Sequence, residues 1–284
     1  MKHIYSLGWV LIFALAVFAQ VQTPKSNWAE FEKNKIHYYD IGDQKSKNAL
    51  LFIHGWAGDT EVWNQSYSAF PGHRAIVVDL IGHGRSDKPK VVYTMDYFAK
   101  SVEAVMKKVK VDKAVLVGHS MGTPVARQFY RLYPNKTLGI VIVDGGLRPY
   151  GTKAEVEQFY ASLRANYKAT TTRFVDEMLQ TVKDETLKQQ VRATMLATPE
   201  YVGLSAMEAF NEEKLWATDQ IKVPVLAILA QSLFWKPDTE HFYRSIAPNL
   251  DYYMWTGVGH FLMVERPKDF NEQVKAFIVK NKLL

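Results

Sequence analysis

The sequence predicts an α/β protein with a mostly parallel central sheet covered by helices on both faces. Three observations predict it. Short apolar runs rich in β-branched residues alternate with segments of helical period. The runs are continuously apolar, as strands buried on both faces require. The polar residues with chemical potential, His54, Asp79, Ser120 and Asp144, sit at or just after the ends of such runs, where the ligand crevice of a parallel sheet lies. A length of 284 residues, 48% hydrophobic and 23% charged, fits one large domain or one domain with an insertion.

The elements follow in order. Lys2 and His3 precede an apolar stretch from Leu7 to small Ala19, after which Gln20 to Pro24 turns polar. A basic start, an apolar region of about a dozen residues and a small residue at its end read as a signal peptide over residues 1–19. The stretch is short for a spanning helix, which needs about 20 apolar residues. The protein is therefore expected to be secreted or periplasmic, with an uncleaved anchor as the alternative and no stable membrane span after cleavage. Phe31 to Tyr39 reads as one or two opening strands. Further strands are expected at Ala49 to Ile53, Ala75 to Val78, Ala114 to Val117, Ile140 to Val143, Val225 to Leu229 and Tyr252 to Trp255. Between them, helical periods cover Met95 to Val109, Thr123 to Tyr133 and Lys268 to Lys280.

The alternation stops between Leu147 and Ile221. Gly145-Gly146 and Pro149 open this stretch, Val223-Pro224 closes it, and helical periods cover Ala154 to Tyr167, Thr172 to Val182 and Thr186 to Leu196. The expected organisation is a sheet-bearing core of residues 20–146 and 222–284, with a helical cap, residues 147–221, lying over the crevice.

Gly118-His119-Ser120-Met121-Gly122 follows a Val-rich strand and precedes a helix. That order exposes a serine hydroxyl at the tip of a sharp turn, and the glycines let the backbone bend where a Cβ would clash. Serine needs a base within hydrogen-bond reach and a third group to orient that base. His260 follows Gly257-Val258-Gly259 after the last strand, on a loop able to reach over the crevice. His119 is expected to be structural, His54 to shape its own loop, and His73, His83 and His241 to pack at the surface or in loops.

Composition removes other chemistries. The absence of Cys excludes disulfides, thiolate metal sites and a cysteine nucleophile. The net charge of +6 comes from scattered Lys and Arg, with only short runs such as Lys107-Lys108, so nucleic-acid binding is not expected. No His-Glu-x-x-His or clustered carboxylates suggest a metal, and no phosphate loop suggests a nucleotide; no cofactor is expected.

From about Ile36 to Leu284 the chain resembles the α/β-hydrolase superfamily. The resemblance rests on His54-Gly55-Trp56, Asp79-Leu80-Ile81-Gly82-His83-Gly84-Arg85-Ser86-Asp87, the Gly118-to-Gly122 turn and Gly257-Val258-Gly259-His260. It implies Ser120 as nucleophile, His260 as general base and acid, and an oxyanion hole from the backbone N–H groups of Trp56 and Met121. Asp79 and Asp87 are then scaffold residues bracing the loops. The family usually supplies its acid just after the seventh strand, but here Pro224 to Ala230 runs on into Gln231-Ser232-Leu233-Phe234-Trp235. Asp144 at the end of the sixth strand is the leading candidate, Asp238 the second, and no functional acid the third. Ser120 stands where dehalogenases and epoxide hydrolases of this fold carry an Asp nucleophile, which sets those two groups aside.

The cap carries Phe159, Tyr160, Leu163, Tyr167, Phe174 and Met178 among its large apolar residues, and Phe234 and Trp235 follow the seventh strand. Most of the cap residues are expected to pack on the core, a minority to line an apolar pocket. The expected function is a serine hydrolase of a small, fairly apolar ester, thioester or lactone acting through an acyl-enzyme on Ser120. The alternatives are C–C bond hydrolysis of a diketone-like substrate and a weakly catalytic protein that holds a small apolar ligand. Oligomeric state is not encoded in any motif.

Overall fold

A computed structural model describes residues 24–284. The expected signal segment, residues 1–19, lies outside the described residues. The chain runs β1 (Ser26–Phe31), β2 (Asn34–Ile41), β3 (Asn48–Ile53), β4 (Arg74–Val78), α1 (Met95–Val109), β5 (Lys113–His119), α2 (Gly122–Leu132) and β6 (Thr137–Val143). Four helices follow before the next strand: α3 (Lys153–Ala165), α4 (Tyr167–Met178), α5 (Glu185–Leu196) and α6 (Glu200–Glu208). The chain closes with β7 (Val225–Ala230), α7 (Thr239–Ile246), β8 (Leu250–Trp255), α8 (Leu262–Glu265) and α9 (Pro267–Asn281). Among the described residues no helix is long and apolar enough to cross a membrane.

The eight strands form one sheet in the order β1-β2-β4-β3-β5-β6-β7-β8. β1 is antiparallel to β2 and β2 to β4; every other pair is parallel. All residues of β4 and β7 are buried, and all but one of β3 and β5, which is why these strands read as continuous apolar runs. The edges differ: Trp28 on β1 and Tyr253 and Met254 on β8 are exposed.

The parallel register sets the site. Ile53 pairs with Gly118, Gly118 with Ile142, and His119 with Val143, which in turn pairs with Ile228. β3, β5, β6 and β7 therefore end in one row, and the residues that follow them emerge side by side.

Local chemistry explains the differences from the expected elements. The opening strands form a hairpin turning on Glu32 and Lys33, both with positive φ (49° and 67°). Such a two-residue turn usually carries Asn or Gly, so nothing in its sequence marks it. The helix expected through Tyr167 breaks at Asn166, whose backbone is non-helical and whose side chain accepts the Ala169 N–H. Asn166 thus ends α3 and caps α4, which starts five residues earlier than its apolar period suggests. Elsewhere the caps follow sequence rules. Thr94 caps α1, Asp184 caps α5, and Thr152 with Glu155 forms a capping box on α3.

Two arginines of α2 fasten both ends of the helical insertion. Arg127, buried, donates to Leu147 O at 3.1 Å where the insertion begins, and to Ala217 O where it ends. Arg131 binds the Asp219 carboxylate and donates to Ala217 O at 3.1 Å. The insertion is rooted on the helix that follows Ser120.

Candidate active site

Ser120 sits between β5 and α2 with φ at 52°, a left-handed backbone conformation that a non-glycine residue seldom adopts. The strained turn is held from several sides. Ser120 N–H donates to Val143 O at 2.9 Å, its carbonyl accepts the Thr123 N–H at 2.9 Å, and the Thr123 hydroxyl donates to Gly118 O at 2.9 Å. The flanking glycines are required by space. A Cβ on Gly118 would strike the Gly122 carbonyl, and one on Gly122 would strike the Ile53 carbonyl. The Met121 N–H lies at the start of α2, among the donors that a helix leaves without internal partners. Those donors and the helix dipole favour negative charge at this point.

Asp144, one residue beyond β6, also has a positive φ (43°). Its N–H donates to Ile228 O at 2.9 Å, and its Oδ1 accepts the Ala230 N–H at 2.8 Å. Oδ2 lies 2.7 Å from His260 Nδ1. β7 therefore offers a backbone N–H to the carboxylate from the very place where the family usually carries one. The backbone after Asp144 is equally committed. Tyr243 donates its hydroxyl to Gly145 O at 2.8 Å and accepts the Leu147 N–H at 3.3 Å, and Tyr150 accepts the Gly146 N–H at 2.6 Å. Burial pushes both phenols above their ordinary range, so they remain neutral hydrogen-bonding groups. Asp238, the second candidate, pairs with Arg148 at 2.6 Å on the surface and holds no histidine. That guanidinium holds its carboxyl below the usual carboxylate range.

His260 is the histidine of this arrangement, paired with Asp144 through Nδ1. An ionised carboxylate can only accept, so the proton of His260 is on Nδ1 and Nε2 keeps a free lone pair. The side chains of His260 and Asp144 are 22% and 8% exposed, so the histidine of the pair reaches toward the surface. The loop carrying His260 is tied down at three points. Arg266 donates to Thr256 O at 2.9 Å, Gly259 N–H donates to Glu265 Oε1 at 2.9 Å, and His119 Nε2–H donates to His260 O at 2.8 Å. His119 is structural, as expected, but through a contact that no motif foreshadows. Burial and the neighbouring His260 hold it far below the usual histidine range, so its ring is neutral.

Trp56 follows the loop from β3, where buried His54 does the shaping. His54 Nδ1 donates to Gly55 O at 2.7 Å and Nε2 accepts the Leu80 N–H at 3.0 Å. Burial lowers the His54 pKa and keeps the ring in this neutral tautomer. A Cβ on Gly55 would lie 2.9 Å from Ser120 Cβ, so the loop passes directly against the serine. The Trp56 indole donates to Gly203 O of α6 at 2.9 Å, with the Phe174 ring 5.9 Å away. Asp79 accepts from Thr60 N–H (2.7 Å), Arg85 N–H (2.9 Å) and His37 (2.8 Å), and Asp87 accepts the Lys35 N–H (2.7 Å); both brace loops. Phe234, 57% exposed, stacks on Tyr150 and forms a rim with Trp235.

Sequence reasoning brought Ser120, Met121, Trp56, Asp144 and His260 to one end of the sheet, and the structure places them there. It missed Glu265, Thr181, Tyr150 and Tyr243, none of which carries a motif. Among the described residues no cluster of three or more His, Asp or Glu side chains is arranged to hold a metal ion.

A family model described as the alpha/beta hydrolase fold matches residues 48–267. An uncharacterized protein of Mycobacterium tuberculosis is 30% identical over 99 residues, covering 34% of this chain and 29% of that one. The chain thus spans less than a third of the length of that relative. A Haemophilus influenzae protein named as an esterase/lipase is 26% identical over 253 residues, covering 86% of this chain and 88% of its own. The solved structure of an esterase from Exiguobacterium antarcticum superposes with a TM-score of 0.79 at 18% identity, covering 90% of this chain and all of that one. The sheet order and the family match together show that the chain belongs to the α/β-hydrolase fold family.

Proposed function

We propose that the protein is a serine hydrolase of small, fairly apolar carboxylic esters, with thioesters and lactones within reach of the same chemistry. One observation carries the reading: His260 Nδ1 lies 2.7 Å from Asp144 Oδ2, although 116 residues separate them in the chain. Three strand ends and a loop converge to make that contact, beside a serine held in a strained turn. A weakly catalytic reading draws on the lack of a carboxylate directly after β7, before Asp238; the Asp144–His260 contact supports the hydrolase reading over it.

In this mechanism Ser120 Oγ attacks the ester carbonyl as His260 Nε2 takes its proton, while Asp144 holds the imidazole and stabilises the imidazolium. The developing oxyanion accepts the N–H groups of Met121 and Trp56; one such donor is typically worth about 3 kcal/mol of transition-state stabilisation. His260 then protonates the departing alcohol. Water, deprotonated by the same nitrogen, releases the acid from Ser120. The helical insertion acts as a cap that excludes bulk water, with Phe174 of the cap set against Trp56 of the core at 5.9 Å between ring centres. The basic and apolar amino terminus, with no Cys anywhere in the chain, supports action in the periplasm or outside the cell.

Hydrolysis of short p-nitrophenyl esters by the purified protein and by Ser120→Ala tests the reading. Turnover should fall by about three orders of magnitude or more, and a fluorophosphonate should label the wild type once and the variant not at all. Equal hydrolysis by the two proteins would sink it.

A further inference from the structure

Gly259 and Thr181 belong to different parts of the molecule, the loop before His260 and the segment between α4 and α5 of the cap. One carboxylate oxygen joins them. Glu265 Oε1, at the end of α8, accepts the Gly259 N–H at 2.9 Å and the Thr181 hydroxyl at 2.9 Å. The two donors also touch: a Cβ on Gly259 would collide with Thr181 Oγ1. Residue 259 is therefore small because the cap rests on it. Leu179 and Val182, on either side of Thr181, are buried, so this part of the cap is seated on the core.

We propose that Glu265 is a positioning residue that couples the seating of the cap to the orientation of His260. The proposal rests on the serine-hydrolase reading above, in which His260 is the base. With the cap seated, Glu265 is fixed by Thr181 and in turn fixes the Gly259 N–H, one residue before the base. His119 holds the other side of that residue through the His260 carbonyl. With the cap lifted, Thr181 leaves and the carboxylate is free to turn to water, loosening the Gly259 anchor. The base is then correctly placed against Asp144 only when the pocket is closed over substrate. A carboxylate suits the task because one oxygen has lone pairs for two donors at once, and charged acceptors hold hydrogen bonds more strongly than neutral ones. The asymmetry of the contacts fits a latch. The root of the cap is held by the charged Arg127 and Arg131, whereas away from the root its bonds to the core come from neutral donors, among them the Thr181 hydroxyl here, the Thr198 hydroxyl to Ala57 O at 3.3 Å and the Trp56 indole to Gly203 O at 2.9 Å.

The test uses Thr181→Val, Glu265→Ala, Glu265→Gln and the Thr181→Val/Glu265→Ala double variant of the full chain. Readouts are ester kinetics from pH 5 to 9 and the rate of fluorophosphonate labelling. The latch predicts that Thr181→Val and Glu265→Ala each lower kcat by about tenfold with KM changed less than twofold, as misplacement of a reacting group does. The acid limb of the pH profile should move to lower pH, because a histidine less firmly paired with Asp144 protonates less readily. Glu265→Gln, whose amide oxygen can accept both bonds, should restore most of kcat. The double variant should be no slower than Glu265→Ala alone. A wild type that takes no label would fail the underlying reading. A wild type that labels, with Thr181→Val indistinguishable from it in kcat and pH profile, would overturn the latch alone. So would a Glu265→Gln variant as slow as a well-folded Glu265→Ala. If Glu265→Ala does not fold, Thr181→Val and Glu265→Gln decide the matter.

Discussion

Among the described residues two histidine–aspartate pairs invite comparison. In one, His260 Nδ1 meets Asp144 at 2.7 Å beside Ser120; in the other, His37 Nδ1 meets Asp79 at 2.8 Å while His37 Nε2 lies 3.0 Å from Ser26 Oγ. The bond lengths barely differ, so the hydrogen bonds alone cannot say which set does chemistry. Their surroundings can. The His37 and Asp79 side chains are 0% and 1% exposed, against 22% and 8% for His260 and Asp144. Asp79 also binds two backbone N–H groups that brace separate loops, and Ser26 lies within a strand rather than at a strained turn. On the proposed function, the pair that serves catalysis is the more exposed one, beside a serine in a strained turn and the N–H donors of a helix start. One set is therefore expected to govern rate and the other stability, and each can be broken separately.

The largest effect should come from Asp144→Asn. Asparagine tolerates a left-handed backbone, so the fold should survive at φ 43°. Its amide N–H, however, can face Nδ1 and force the imidazole proton onto Nε2, where it blocks acceptance from Ser120. Turnover of a p-nitrophenyl ester should fall by about four orders of magnitude, with the urea midpoint close to that of the wild type. Retention of ordinary turnover would remove Asp144 from the mechanism.

Asp79→Asn should reverse the pattern. Asparagine cannot accept all three donors that Asp79 holds, and a buried donor left unmatched is costly; the expected loss is about 2–4 kcal/mol of stability. Activity at temperatures where the variant is folded should stay within a few-fold of the wild type. Burial pushes the Asp79 carboxyl up, but the hydrogen bond from His37, the nearby His54 and the Arg85 N–H outweigh it and leave it below the usual range. A depressed carboxyl stabilises the fold above its unfolded value and loses that contribution as pH falls through the folded value. The gap between wild type and Asp79→Asn should therefore narrow only in strong acid, below about pH 4.

Asp59, beside Asp79, shows the opposite sign. Burial, then the charge of Asp79, push its carboxyl up to about 6 despite the Glu61 N–H that it accepts. A raised carboxyl favours the fold while protonated, and that contribution is lost as pH rises from about 4 through 6. Asp59→Asn keeps an oxygen for the Glu61 N–H. It should be more stable than the wild type at pH 8, by about 1–2 kcal/mol after allowance for solvent, and equal to it near pH 4. Chemical denaturation at both pH values checks this; a gap independent of pH would show that the charge is not the cause.

These contrasts also mark what the sequence could carry. The strands of the parallel half were legible because burial on both faces leaves an unbroken apolar run, and the Ser120 turn was legible because its tight backbone needs glycine on both sides. Asp144 was legible only as the leading of three possibilities, because its contact depends on β7 lying beside β6 and lending it the Ala230 N–H. The second set was invisible for the same reason. Ser26, His37 and Asp79 meet only through the antiparallel pairing of β1 with β2 and of β2 with β4. Glu265 and Thr181 carry no pattern at all, since a single bond between a helix end and a cap segment leaves no period. Local chemistry is written locally, and contacts between distant loops are not.

The smallest effect sharpens the comparison most. Ser26 has a histidine at its hydroxyl and an aspartate behind that histidine, yet it is expected to be inert. Asp79 fixes the His37 proton on Nδ1, so Ser26 donates to Nε2, and Arg85 donates to Ser26 Oγ at 2.9 Å. The guanidinium draws on the same lone pairs that an attack would use. β1 continues beyond Ser26 as strand, with Ser26 paired to Tyr39, so no helix start presents its free N–H groups there. Ser26→Ala should cost about 1 kcal/mol or less, because Arg85 is half exposed and can turn to water. Ester turnover and the single fluorophosphonate label should be unchanged. The sharper measurement is the Ser120→Ala protein, which retains Ser26, His37 and Asp79 intact. Mass spectrometry after long exposure to the probe should find Ser26 unmodified. A label at Ser26 would mean that a hydrogen-bonded Ser–His–Asp row is enough for reactivity, without a strained turn or converging N–H donors, and would undo the distinction drawn between the two sets.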